Sequence, residues 1–181
     1  MGISVRLVHE DDAAGIAELL RANRTFLAPW DPERKDDFFT DDTQRTLLRT
    51  AVQRYQDGTM VPLAIIEDGS VVGRINVNDI VRGAFQSAHL GYWVAQSANG
   101  RGVATAAVAA TVRLAFDELA LHRLQADTLV HNVGSQTVLA RNGFDRIGFA
   151  PQYLRIAGSW QDHYMHQRIN DALDCGQSRN R

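Results

Sequence analysis

Along the first residues apolar and polar positions alternate, with Ile3, Val5 and Leu7 set against Ser4 and Arg6. A period of two predicts a strand with one buried face over Ile3–Val8. Asp11 and Asp12 stand where a helix needs a cap, and Ile16, Leu19 and Leu20 then form the apolar stripe of a first helix. Phe26–Pro32 breaks that helix with two prolines among large apolar groups. A second helix is predicted over Asp41–Gln56, with Leu47, Leu48 and Val52 inward. The runs Pro62–Ile66 and Val71–Val77 flank Glu67-Asp68-Gly69-Ser70, where Asp-Gly is a strong hairpin signal. A further strand is predicted over His89–Ala95. From Gly102 to Leu119 the chain is rich in alanine and apolar almost all round, the pattern of a buried helix. Leu124–Val130 reads as a strand, and Gly134–Arg141 as a helix stopped by Asn142-Gly143. Phe144–Ile156 and Trp160–Ile169 form a last antiparallel pair around Ala157-Gly158-Ser159. This order predicts an α+β fold with a mixed sheet, as one domain over residues 1–170 and a polar tail over 171–181.

Composition narrows the function classes. At 181 residues a single domain is expected, and 45% hydrophobic with 22% charged residues excludes disorder and fibrous repeats. The 19 basic and 21 acidic residues leave a net charge of −2, so there is no broad cationic field for direct nucleic-acid binding. No apolar run approaches the roughly 18–20 residues of a membrane span. Cys175 is the only cysteine, which rules out an internal disulfide and a cysteine-based metal centre and points to a reducing, cytoplasmic compartment. His163 and His166 are three apart in strand-like sequence and so face opposite sides, and no metal is expected. The absence of a Gly-x-Ser-x-Gly elbow argues against a serine hydrolase.

The segment richest in chemistry is Tyr92-Trp-Val-Ala-Gln-Ser-Ala-Asn-Gly-Arg-Gly-Val-Ala-Thr105. A strand runs into two glycines, Gly100 and Gly102, and then directly into an apolar helix. Glycines here let backbone N–H groups point outward at a helix N-terminus, which makes an anion cradle suited to a diphosphate. Arg101 adds positive charge. The pattern is neither a Walker loop, since no Gly-Lys-Ser/Thr follows, nor a dinucleotide fingerprint, since Thr105 stands where its last glycine belongs. A glycine turn that merely starts a helix is the bland alternative.

Further motifs move the balance. Asn23-Arg-Thr-Phe-Leu-Ala-Pro-Trp30, Val81-Arg-Gly-Ala-Phe85, Leu90-Gly-Tyr92, Gly100-Arg-Gly102, His131-Asn132, Leu139-Ala-Arg-Asn-Gly-Phe144 and Tyr153–His163 occur in an order and spacing that resembles GNAT-superfamily N-acetyltransferases of the RimJ/RimL branch. The resemblance runs from about Val5 to Arg168. It implies the GNAT fold, a mixed, mostly antiparallel sheet whose splayed central strands hold acetyl-CoA. It also implies that backbone groups of Trp93, Val94 and Ala95 pair with the pantetheine arm. The N–H groups of Gly100, Arg101, Gly102, Val103, Ala104 and Thr105 hold the pyrophosphate. Asn99 stands where the family usually has Gln or Arg. Asn132, a natural helix cap, is implied to touch the cofactor arm, with Ser135 beside the sulfur. Many members carry a tyrosine four residues before the glycine of the Gly-Phe pair, as proton donor to the thiolate. Leu139 occupies that place and can donate nothing, so Ser135 is the candidate donor. Phe26 and Trp30 from one side and Tyr153 and Trp160 from the other are expected to wall the acceptor site. Asp31, Glu33, Asp36 and Asp37 are candidates to attract a basic peptide.

The general base stays unassigned. Glu67 and Asp68 are expected to be solvated at a hairpin tip, and His89 is at most a proton relay. An α-amine of pKa about 7.7–8.0 is roughly 9–17% neutral at pH 7, against about 0.04% for a lysine of about 10.4. A site with no strong base therefore favours α-amines. Acetyl transfer to the N-terminus of a protein, plausibly ribosomal, leads. A small-molecule amine such as an antibiotic or polyamine, and a non-catalytic acyl-CoA-binding module, are the alternatives, in a monomer or homodimer.

Overall fold

The computed structural model describes residues 2–172 of the chain. Cys175 and residues 173–181 of the expected tail lie outside that range.

Seven strands form one sheet in the order β1-β2-β3-β4-β5-β7-β6. The strands are β1 (Ile3–Leu7), β2 (Val61–Glu67), β3 (Ser70–Val81), β4 (Ser87–Val94), β5 (Arg123–Leu129), β6 (Asp145–Ile156) and β7 (Ser159–Ile169). The helices are α1 (Ala13–Ala22), the single turn α2 (Arg24–Leu27), α3 (Asp41–Gln56), α4 (Val103–Arg113) and α5 (Val133–Arg141). All neighbouring strands are antiparallel except β4 and β5.

Strand alternation divides the core in two. Leu63 and Ile65 of β2 pack with Val103, Ala107 and Val108 of α4, whereas Ala64 and Ile66 pack with Ile16 and Leu20 of α1 and Leu48 of α3. The sheet thus carries α4 on one face and α1 with α3 on the other. On β4, Leu90 and Tyr92 belong to the α4 face and Trp93 to the opposite one.

The expected α3 spans Asp41–Gln56, capped by the Thr40 hydroxyl. Its inward row is Gln44, Leu48 and Ala51, while Leu47 is 41% exposed, contrary to expectation, because it stands a turn-fraction to the side of that row. Asp12 does not cap α1 with its side chain. Its carboxylate instead takes a two-pronged bond from Arg6, at 2.8 and 2.7 Å, and one from the His9 N–H. Phe26 and Leu27 form a helical turn before the chain breaks. The alanine-rich helix is shorter than expected. It stays α-helical to Arg113 and finishes as a wider π-helical turn over Leu114–Glu118. Asn170 belongs to the body of the domain: it is buried and donates to the Leu121 carbonyl.

Candidate active site

The site begins with a strand pair that parts. β4 and β5 are hydrogen-bonded only at Ser87–Arg123, Ala88–Leu124 and His89–Gln125. Beyond these, Leu90–Val94 and Ala126–Leu129 have no pairing with each other, and a gap opens through the sheet. Gly73 holds β3 hard against the free end of β4. A Cβ there would collide with the Trp93 carbonyl and come within 2.9 Å of the Val94 Cα. Ala95 N–H donates to the Val72 carbonyl, and Gln96 N–H to Asn23 Oδ1 at 2.8 Å, which fixes where the strand ends.

On the α4 face the gap opens into a groove of about 590 Å³, bounded by Trp93 and Val94, by Gly100, Gly102 and Thr105, and by the first turn of α5. Gly100 and Gly102 have φ of +73° and +81°, and open space lies where their Cβ atoms would be. The positive φ favours glycine, and the lack of a side chain in that open space bares the amide edge at the start of α4. The Asn142 side chain donates to the Thr105 carbonyl at 3.2 Å and so ties the end of α5 to this cradle. A diphosphate-bearing group fits a concave, open, amide-lined edge of this kind.

Arg101 does not join the groove wall. Its guanidinium turns to Glu67 at the end of β2, with N–O 2.6 Å. Glu67 is accordingly buried and ion-paired, contrary to the expectation of a solvated tip. The positive φ of Gly100 turns the chain outward there, which carries the next side chain off the cradle.

On the α1 and α3 face the gap opens into a second cavity of about 560 Å³. Trp30, Tyr92, Trp93, Asn132 and Ser135 line both spaces and form their shared waist. Asn132 Oδ1 accepts the Ser135 N–H at 3.0 Å, capping α5 and setting Ser135 in its first turn. The Ser135 hydroxyl is 2.8 Å from the Tyr92 hydroxyl. Burial pushes the Tyr92 phenol up to about 12, with the Ser135 bond working against it. Tyr92 is therefore a permanent proton carrier at neutral pH. Sequence reasoning passed over it because, on a strand, it has the look of a core aromatic. Leu139 is wholly buried in the core.

The second cavity also holds a carboxylate that the sequence did not single out. Asp127 stands on β5 just past the parting, with its side chain 10% exposed. Leu124 and Ala126 face α4, so Asp127 faces the other way. Its Oδ2 is 3.4 Å from the Tyr153 hydroxyl and 3.7 Å from His89 Nδ1. The nearby Asp127 carboxylate, against some cost of burial, raises the His89 imidazole above its ordinary value. Tyr153 also meets the His163 ring edge to face, with centroids 5.6 Å apart. The signal available in the sequence was a lone acid inside the predicted strand Leu124–Val130.

Not every residue expected to wall the acceptor site faces this second cavity. Trp30 does, and its ring lies 5.5 Å from His131. Phe26 instead lines the groove on the α4 face, since one helical step separates it from Leu27. Trp160 lines neither space and is 62% exposed, being three residues from inward His163 on the same strand and so on the opposite face. Asp31 is paired with Arg34 and Asp36 with Arg24, which offsets the acidity expected of that loop. Among the described residues no group of three or more His, Cys, Asp or Glu is placed to hold a metal ion. No helix among them is long and apolar enough to cross a membrane.

Residues 3–145 match the model of the acetyltransferase (GNAT) domain. The chain is 32% identical over 163 residues to the [ribosomal protein uS5]-alanine N-acetyltransferase of Escherichia coli, covering 89% of this chain and 84% of that one. It is 34% identical over 170 residues to the probable N-acetyltransferase YjcK of Bacillus subtilis, covering 93% and 94%. Among solved structures, Mycobacterium smegmatis RimJ in complex with CoA-disulfide matches with a TM-score of 0.91 at 32% identity, over 94% of this chain and 83% of that one.

Proposed function

The chain belongs to the GNAT acetyltransferase family and is an acetyl-CoA-dependent N-acetyltransferase, and we propose that its acceptor is the N-terminal α-amine of a protein, a ribosomal protein being the leading candidate. The observation that carries the reading is the waist. A groove suited to a diphosphate and an acceptor cavity meet at the Tyr92–Ser135 hydroxyl pair, with one carboxylate, Asp127, on the acceptor side. The uS5-alanine enzyme among the relatives supports an α-amine acceptor.

In this reading the pyrophosphate of acetyl-CoA lies on the amides of Gly100–Thr105, and the pantetheine arm lies along Trp93–Ala95 with Asn132 opposite. The cosubstrate supplies an activated thioester carbonyl at the waist. Asp127 attracts the incoming ammonium, which loses one proton to become the neutral amine. Its nitrogen then bonds to the carbonyl carbon as the carbon–sulfur bond breaks, and Asp127 accepts the second proton, with His89 beside it to pass the proton on. Ser135 donates its hydroxyl proton toward the sulfur, and Tyr92 hydrogen-bonds the serine oxygen. No strong base is required, because an α-amine is already partly neutral at pH 7.

Matched peptides test this. One has a free N-terminus and no lysine, and the other is N-terminally blocked with an internal lysine. Acetylation is expected on the first, rising between about pH 6 and 8 with the neutral fraction of the amine. Reaction of the lysine peptide alone, or of neither peptide while a polyamine reacts, overturns the proposal.

A further inference from the structure

Three arginines line the acceptor cavity: Arg34, Arg54 and Arg74. Arg34 is paired with Asp31 at 3.0 Å and Arg54 with Asp79 at 2.9 Å. Arg74 has no such partner among the described residues. Its Nη2 makes one long bond, 3.4 Å, to Asn76 Oδ1, and its Nε is buried without any hydrogen-bond partner. The acid nearest in effect is Asp12, whose carboxylate is already held on both oxygens by Arg6. Burial lowers the Arg74 guanidinium below its ordinary value, yet an arginine remains charged at neutral pH.

A desolvated guanidinium without an acid is costly, and a carboxylate brought by a ligand would offset that cost. The sheet register gives its place. Arg74 pairs across the sheet with Trp93 on one side and Ala64 on the other. Cross-strand partners share a face, and Ala64 and Trp93 both pack on the α1 and α3 side. Arg74 thus stands on the acceptor side, one strand spacing from the β4 segment that carries the waist, or about 4.8 Å. An extended acceptor advances about 3.4 Å per residue, so a group that meets Arg74 belongs within the first few residues after the reacting amine.

We infer that Arg74 is a carboxylate subsite of the acceptor cavity, and that the enzyme selects acceptors carrying an acidic side chain at the second or third residue. The inference rests on the proposed peptide acceptor and narrows it. It also reverses the charge preference that the acidic loop Asp31–Asp37 alone suggests. A guanidinium meets a carboxylate through two parallel N–H donors, so an amide in place of the acid loses both charge and fork geometry.

The test uses the full chain with peptides that differ only in Glu or Gln at positions two and three. Wild type is expected to favour the acidic peptide by about tenfold or more in kcat/KM, chiefly through KM. In Arg74→Met the preference disappears while acetyl-CoA affinity holds, and Arg74→Lys restores part of it, since lysine supplies the charge without the fork. Equal rates on both peptides with wild type, or equal losses on both in Arg74→Met, overturn the subsite and leave the α-amine reading standing. Calorimetry with the N-acetylated peptides on the CoA-bound enzyme decides the matter even if no peptide turns over. Tighter binding of the acidic peptide, lost in Arg74→Met, supports the subsite, and no difference between the peptides overturns it.

Discussion

The hydroxyls of Tyr92 on β4 and Ser135 on α5 lie 2.8 Å apart, so a side-chain hydrogen bond crosses the space opened where β4 and β5 part. One oxygen of the pair can bond the other while a proton stays directed at the waist. Because burial keeps the Tyr92 phenol up at about 12, it holds its proton throughout the neutral range. Ser135→Ala is expected to lower kcat by about 10²-fold, the low end for general-acid catalysis, since a thiolate leaves readily. Tyr92→Phe keeps the ring and is expected to cost about tenfold. The double variant should fall no further than Ser135→Ala, because residues acting as a unit are not additive. Steady-state kinetics at saturating acetyl-CoA measure all three, and fully additive losses count against a shared role.

Gly102 sits at the N-terminus of α4 with φ +81° and open space where a Cβ would be. Gly102→Ala is expected to cost about 1 kcal/mol of stability from the left-handed backbone alone, with acetyl-CoA affinity changed only a few-fold. Gly102→Glu adds a negative charge to the cradle, and binding should collapse by more than 10²-fold although circular dichroism stays native. Equal affinities for the two variants remove the pyrophosphate from this edge.

Much of this architecture was legible because it is local. The hairpin at Asp68-Gly69 needs two residues of positive φ, and Asp-Gly is the pair that supplies them (φ 48° and 87°). The halt of α5 at Asn142-Gly143 follows from the positive φ of Gly143, 72°, just past the helix. The cradle was visible as two glycines before an apolar helix. Asp127 and Tyr92 were not, since each acquires its neighbours only when β4 and β5 part, and that parting depends on long-range packing. Ser135 was reached through family resemblance, and its contact with Tyr92 spans 43 positions of sequence. Arg101 misled because charge beside a glycine loop looks like a phosphate contact, whereas the buried acid that claims it lies 34 residues earlier.

That pair makes its own prediction. Glu67 is 7% exposed and keeps one oxygen buried without a partner, while Arg101 is 41% exposed. Removing the arginine strands the buried carboxylate, whereas removing the charge on Glu67 leaves an arginine that water can reach. Arg101→Met is therefore expected to destabilise by about 1–3 kcal/mol and Glu67→Gln by less. Thermal or urea unfolding measures the order, and its reversal sinks the argument. Acetyl-CoA affinity should change less than threefold in Arg101→Met, and a large loss would return Arg101 to the pyrophosphate.

Asp127 and His89 supply a pH dependence whose sign can be worked out. The Asp127 carboxylate, 3.7 Å away, is the main cause that raises the His89 imidazole, Asp79 adds to it, and burial and Arg123 oppose it. A raised pKa means that the fold prefers the protonated ring. The stability gained is fully present below the unfolded value of about 6.5 and is lost as pH rises through the folded value. Asp127→Asn should therefore lower the His89 midpoint, followed by proton NMR of the ring, and should destabilise the domain more at pH 5.5 than at pH 8. In the proposed reaction the same carboxylate attracts the ammonium and accepts a proton from the nitrogen as the new bond forms. Asparagine keeps the shape and can do neither. With a free-N-terminus peptide, Asp127→Asn is expected to lose about 10²-fold in kcat/KM while acetyl-CoA affinity holds. His89→Asn leaves the carboxylate in place and should lose less. A wild-type rate for Asp127→Asn, together with an unmoved His89 midpoint, would reduce the pair to ordinary cavity wall.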